Sequence, residues 1–154
     1  MNIHHETLVF ERVFDAPPER LFRAYTDPRE REVWSAPTPE TRVVIDATDV
    51  RTGGREIARC GNSGNLNWTM KVVYHNVIEN RLITFTEELW DSDSDSVVTV
   101  ALITFDFEGH GAAGTRLKLT DQVTSFVGEN GVSGHREGYS KALANLAAAL
   151  LRVP

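Results

Sequence analysis

Residues 134–151 read GHREGYSKALANLAAALL, and in this stretch Tyr139, Leu143, Leu146 and Leu150 step by four, three and four. That spacing is one apolar stripe of an α-helix, so the chain closes on a long amphipathic helix that needs an apolar surface to cover. The period changes upstream of it. Residues 6–14, ETLVFERVF, alternate and are rich in β-branched and aromatic residues, which predicts a strand with Leu8, Phe10 and Phe14 on one face.

Between these ends the punctuation is regular. Asp15-Ala16-Pro17-Pro18 stops the first strand and starts a helix over about 18–26, because proline is tolerated in a first helical turn. Asp27-Pro28-Arg29-Glu30 starts a second short helix, with Asp27 as cap and Glu30 at capping-box spacing, ending near Val33-Trp34. Six further strands are predicted over 42–48, 55–60, 66–78, 82–90, 97–108 and 115–123. Arg51-Thr52-Gly53-Gly54 is read as a tight turn in which both glycines supply positive φ. The order is therefore strand, two short helices, six consecutive strands, long helix. Sequential strands joined by short turns pair with their neighbours. The expected fold is α+β: a curved seven-stranded antiparallel sheet wrapped around the C-terminal helix, in one domain over 1–154. A sheet this wide curls, and a helix gripped by it leaves a gap rather than a solid core.

Composition narrows the partners. The 154 residues carry 16 Lys and Arg against 22 Asp and Glu, a net charge of −6, and no basic run, which disfavours nucleic-acid binding. The opening MNIHHETLVFERVF lacks a signal-peptide pattern, and no segment approaches the roughly 20 apolar residues of a membrane span. Cys60 is the only cysteine, so no internal disulfide or thiolate zinc site is expected and a reducing, cytoplasmic location fits. No heptad or other feature sets the oligomeric state, and a homodimer is compatible with the sequence.

Several stretches resemble a known family in order and spacing. They are Arg12 to Phe22 with Tyr25-Thr26-Asp27-Pro28, Asp49-Val50-Arg51-Thr52-Gly53-Gly54-Arg55, Asn80-Arg81-Leu82, Gly114-Thr115-Arg116-Leu117, and Gly138-Tyr139 opening the last helix. Together they cover nearly the whole chain. They resemble the family named for the activator of heat-shock-protein-90 ATPase, within the START-like (SRPBCC, birch-pollen-allergen-like) helix-grip superfamily. The resemblance implies a cavity between sheet and helix, used in the superfamily by binding proteins and by cyclases, aromatases and hydrolases. Two departures stand out. Val33-Trp34-Ser35-Ala36-Pro37 replaces the two tryptophans and Gly-Pro common in the family, and Tyr139 stands where many relatives have tryptophan.

Other motifs carry less. Asp91, Asp93 and Asp95 have calcium-loop spacing, but Ser96 and Leu102 occupy the positions that need glycine and glutamate. With Glu87 and Glu88 they read as a solvated acidic loop. His4 and His5 lack a third ligand, His75 and His110 lack a partner motif, and no metal site is expected. The Gly53-Gly54 turn and the 109–114 loop lack a P-loop lysine or dinucleotide context, so no cofactor is expected. No G-x-S-x-G elbow occurs. Cys60 reads as a small buried hydrophobe.

The leading expectation is thus a domain that binds a small apolar or aromatic ligand. Its wall is expected to include Phe22, Trp34, Trp68, Phe85, Trp90, Phe105, Tyr139, Leu143 and Leu146. Two rivals are an enzyme using the same cavity, with His135 and Tyr139 as acid–base candidates four residues apart on one helix face, and a protein-interaction module with a chaperone partner.

Overall fold

A computed structural model describes residues 2–152; residues 1, 153 and 154 of the expected single domain lie outside the described residues. The element order is β1 (His4–Phe14), α1 (Pro18–Thr26), α2 (Pro28–Ser35), β2 (Thr41–Thr48), β3 (Arg55–Asn62), β4 (Asn65–Ile78), β5 (Leu82–Asp91), β6 (Ser96–His110), β7 (Gly114–Ser125) and α3 (Glu129–Arg152). All seven strands form one antiparallel sheet in the order β1-β7-β6-β5-β4-β3-β2. Hairpins build it from β2 to β7, and β1 closes on β7. The two helices α1 and α2 therefore carry the chain from one edge of the sheet to the other.

Alternation along the strands decides which face is covered. Leu8, Phe10 and Phe14 of β1, Ile103, Phe105 and Phe107 of β6, and Leu117 and Leu119 of β7 are all at most 8% exposed, and they form one core with α1 and α3. Burying a large apolar side chain is worth about 1.5–3 kcal/mol, so this half of the sheet anchors the fold. Asp27 caps α2 as expected, accepting from the backbone N–H of Arg29 (2.9 Å) and Glu30 (3.2 Å). Glu30 does not close the capping box. Its carboxylate accepts instead from Arg20 of α1 at 2.7 Å, which staples the two short helices together.

Two local expectations are corrected. In the β2–β3 turn only Gly53 has positive φ (+86°); Gly54 is needed because a Cβ there would sit 1.8 Å from the Asp49 carbonyl oxygen. The C-terminal helix also starts at Glu129, five residues before the sequence signal at Gly134. Its first turns carry Gly131, Gly134 and Gly138, which lower helix propensity by about 1 kcal/mol each relative to alanine, and burial of Val132 (1% exposed) holds them helical.

Candidate functional site

The helix α3 packs chiefly on β1, β7 and α2. Leu143 and Leu146 supply that anchor, at 1% and 2% exposure. Towards its N-terminus α3 still touches β6 and β7, where His135 meets Asp121 and Thr99 and a Cβ at Gly131 would lie 2.2 Å from Ser125 Oγ, and the space opens between the helix and the strands beyond them. The face it turns there carries Gly131, Gly134, His135, Gly138, Tyr139 and Ala142, and a Cβ added at Gly134 or Gly138 would meet no neighbouring atom within 4 Å. Side chains that would fill the space are missing from the helix, so a cavity of about 590 Å³ remains. That is within the usual 300–1,000 Å³ of small-molecule sites. The inward residues of β2 to β6 form its floor, α2 closes one side, and exposed Arg42, Asn62 and Asn130 stand at its rim.

The expected wall is partly assembled. Trp34, Trp68, Phe85, Phe105 and Tyr139 line the cavity. Phe105 meets Tyr139 edge-on at 6.1 Å and stacks on Phe85 at 6.1 Å, so rings from sheet and helix are continuous. Leu143 and Leu146 lie in the sealed core instead, because they are the part of the apolar stripe that seats the helix. Phe22 packs edge-on against Phe107 at 5.8 Å, beneath α1 and away from the cavity. Trp90 is on the opposite face of the sheet, where Lys71 covers its ring at 4.2 Å and Glu88 accepts from its indole N–H at 2.9 Å. It follows Phe85 by five positions, and an odd separation on one strand reverses the face.

The same parity reveals a residue assigned above to the acidic loop. Ile83, Phe85, Glu87 and Leu89 share one face, so Glu87 projects into the cavity while Glu88 is exposed. Burial pushes the Glu87 carboxyl from its ordinary 4.5 up to about 7; nearby His135 pulls the other way and Asp121 and Glu56 reinforce the rise. Asp91 only shapes the hairpin, accepting from the Asp93 N–H at 3.0 Å.

Two buried polar clusters flank Glu87. In the first, Arg31 (7% exposed) makes a two-pronged pair with Glu56 (4% exposed), one arm at 3.0 Å. Glu56 also accepts from Tyr74 at 2.9 Å and Thr48 at 2.6 Å, and Arg31 lies 4.4 Å over the Tyr25 ring. In the second, His135 donates from Nδ1 to the fully buried Asp121 at 2.6 Å, and its Nε2 is 3.1 Å from the Thr99 hydroxyl. Burial alone would lower the imidazolium pKa, but the hydrogen bond and charge of Asp121 prevail and raise it. Nothing local in the sequence joins Arg31 to Glu56 or His135 to Asp121, since they are 25 and 14 residues apart on different elements. Cys60 lines the cavity, and burial followed by the charge of Glu87 pushes its thiol up to about 12, so it is unreactive near neutrality. Tyr139 also lines the cavity, and burial raises its hydroxyl well above the ordinary value.

The Glu87 shift fixes a pH dependence. A carboxyl that titrates higher in the folded than in the unfolded chain gives stability that is present below about 4.5 and lost as the pH rises to about 7. Glu87→Gln is therefore expected to be neutral at pH 4 and stabilising at pH 8. Because the cavity admits water, the gain is about 1–2 kcal/mol rather than the full value of the shift. Urea denaturation at the two pH values measures it, and an equal effect at both would show that Glu87 does not titrate in this range.

A curved antiparallel sheet gripping one long helix, with a cavity between them, defines the helix-grip class, a ligand-binding fold. The sequence profile of the family described as Activator of Hsp90 ATPase homolog 1-like protein matches residues 15–151, and the chain belongs to that family. Among solved structures it is similar to an uncharacterised protein from Rhizobium leguminosarum, with TM-score 0.85 and 27% identity over 99% of this chain and 98% of that one. A protein from Rhizobium loti matches with TM-score 0.82 and 25% identity over 96% and 99% of the two chains. The AHSA1 protein from Silicibacter pomeroyi matches with TM-score 0.77 and 25% identity over 95% and 98%. No curated protein matches the chain. Among the described residues no helix is long and apolar enough to cross a membrane, and no three His, Cys, Asp or Glu side chains converge as a metal site.

Proposed function

We propose that the protein binds a small apolar or aromatic molecule between the concave face of the sheet and the N-terminal half of α3. The supporting observation is the cavity of about 590 Å³, whose wall is built from rings on both layers. Apolar walls of this kind supply affinity through removed water-exposed area, and the few polar groups orient what enters. A cytosolic setting accords with the single cysteine.

A panel of lipids, sterols and aromatic compounds tested by thermal denaturation is the direct experiment. A ligand at about 100 times its Kd stabilises by about 2.7 kcal/mol, which for a domain of this size raises Tm by about 5–10 °C. At least one class should give such a rise, and a flat response across the panel would count against the cavity as a site.

One observation supports an enzymatic variant of this reading. Asp121, His135 and Thr99 form a continuous hydrogen-bonded chain at the cavity wall. Thr99 is only 1% exposed, so its hydroxyl is out of reach as a nucleophile. His135, whose charged form Asp121 favours, is the titratable member of this chain, and it would donate a proton to a bound molecule only if its Nε2 turned from the Thr99 hydroxyl to the ligand. Turnover that His135→Asn abolishes while binding persists would favour this variant over simple binding.

A further inference from the structure

Arg42 stands at the exposed rim of the cavity, and among the charges in its interior one, Glu87, is left without a partner. Arg31 and Glu56 neutralise each other, with Tyr74 and Thr48 filling the remaining acceptor capacity of Glu56. His135 pairs with Asp121 through one carboxylate oxygen, Asp121 Oδ1 being buried without a partner among the described residues, and the other His135 nitrogen is taken by Thr99. Glu87 reaches the cavity from β5 between these pairs, and among the described residues no group hydrogen-bonds its carboxyl. The ionisable groups that act on it are Glu56 and Cys60 on β3, Asp121 on β7, Arg31 on α2, and His135 and Tyr139 on α3. Both cations in that set are already paired.

Resting on the binding function above, we propose that the cavity selects a hydrophobic cation, an apolar or aromatic molecule with one protonated amine, for which Glu87 is the counter-ion. An unpaired carboxylate among apolar walls is costly, and a bound ammonium offsets that cost directly. Trp68, Phe85 and Tyr139 line the same space, and aromatic rings attract cations. An anionic ligand would meet the Glu87 charge inside the cavity, where Arg31 and His135 are already paired, and the cation left to it, Arg42, stands at the exposed rim. A neutral ligand would leave the carboxyl unpaired. Ionisation of Glu87 near pH 7 then makes the preference pH-dependent, weak when the carboxyl is protonated and strong when it is ionised.

The test uses three probes with one ring system: 2-(2-naphthyl)ethylamine, 2-(2-naphthyl)ethanol and 2-naphthylacetate. Calorimetric titration of the wild type and Glu87→Gln at pH 5.5 and pH 8 reads all the arms. The wild type at pH 8 should bind the amine about tenfold more tightly than the alcohol, with the carboxylate weakest. That preference should shrink by about tenfold at pH 5.5, where few Glu87 side chains are ionised. In Glu87→Gln it should vanish while alcohol binding remains, and that retained binding also shows that the variant is folded. Equal affinity for amine and alcohol in the wild type, preference for the carboxylate, or an amine preference that survives in Glu87→Gln would each overturn the charge inference and leave the cavity function standing. Failure of all three probes, together with a flat response to the wider panel, would overturn both.

Discussion

Glu56→Ala is expected to lower stability by about 3–5 kcal/mol, the largest loss of any single polar substitution at the site. The reason is asymmetry. Arg31 is 7% exposed and its guanidinium relies on Glu56 for charge and for hydrogen bonds, so truncating the carboxylate leaves a buried positive charge without its partner. Tyr74 and Thr48 lose their shared acceptor in the same step. Replacing both members with apolar residues, Arg31→Met with Glu56→Leu, should restore most of the loss, because the pair costs its own desolvation. Urea denaturation of the two single variants and the double variant closes the cycle. A loss below about 1 kcal/mol for Glu56→Ala would mean that the pair is wetter than its burial implies. The pair also has a place in the site. It ties α2, which carries Trp34, to β3, which carries Ala58 and Cys60, so loosening it should weaken ligand binding as well as stability.

Gly138→Leu is expected to act in the opposite sense on stability and to abolish binding. Gly138 is helical and faces open space, so a leucine there raises helix propensity by about 0.8–1 kcal/mol and buries apolar surface against the rings of the cavity. The combined gain is about 1–3 kcal/mol. The same side chain occupies the volume a ligand would take, and affinity should fall by at least about a hundredfold. Few substitutions outside a binding site raise stability while removing function, so the paired readout is diagnostic. Destabilisation by Gly138→Leu would show that the space beside α3 is already filled.

Much of this architecture is readable from residue order, and the reasons are local. Alternation in β1 predicted which of its side chains face inward, Asp27-Pro28 marked the start of α2, and strand boundaries fell within two residues of the turns. Part of the site was also within reach. Counting from Phe85 places Glu87 inward and Trp90 outward, and strand parity alone would have made both assignments. The remainder was not legible, for physical reasons. Leu143 and Leu146 belong to the same stripe as Tyr139, and only the seating of α3 against β1, β7 and α2 decides which part of that stripe meets protein and which meets a void. The early start of α3 sets the burial of Val132 against the low helix propensity of Gly131. The ion pairs of Arg31 and His135 join elements that approach only once the sheet has curled.

The central claim is that the space beneath α3 is a site for a guest molecule, and native mass spectrometry tests it most directly. Wild-type protein and Gly138→Leu would each be incubated with the pooled lipid, sterol and aromatic panel and sprayed from volatile buffer. The account predicts a one-to-one adduct of a few hundred daltons on the wild type and the bare mass for the variant. Bare wild-type protein, or the same adduct on both proteins, would contradict it.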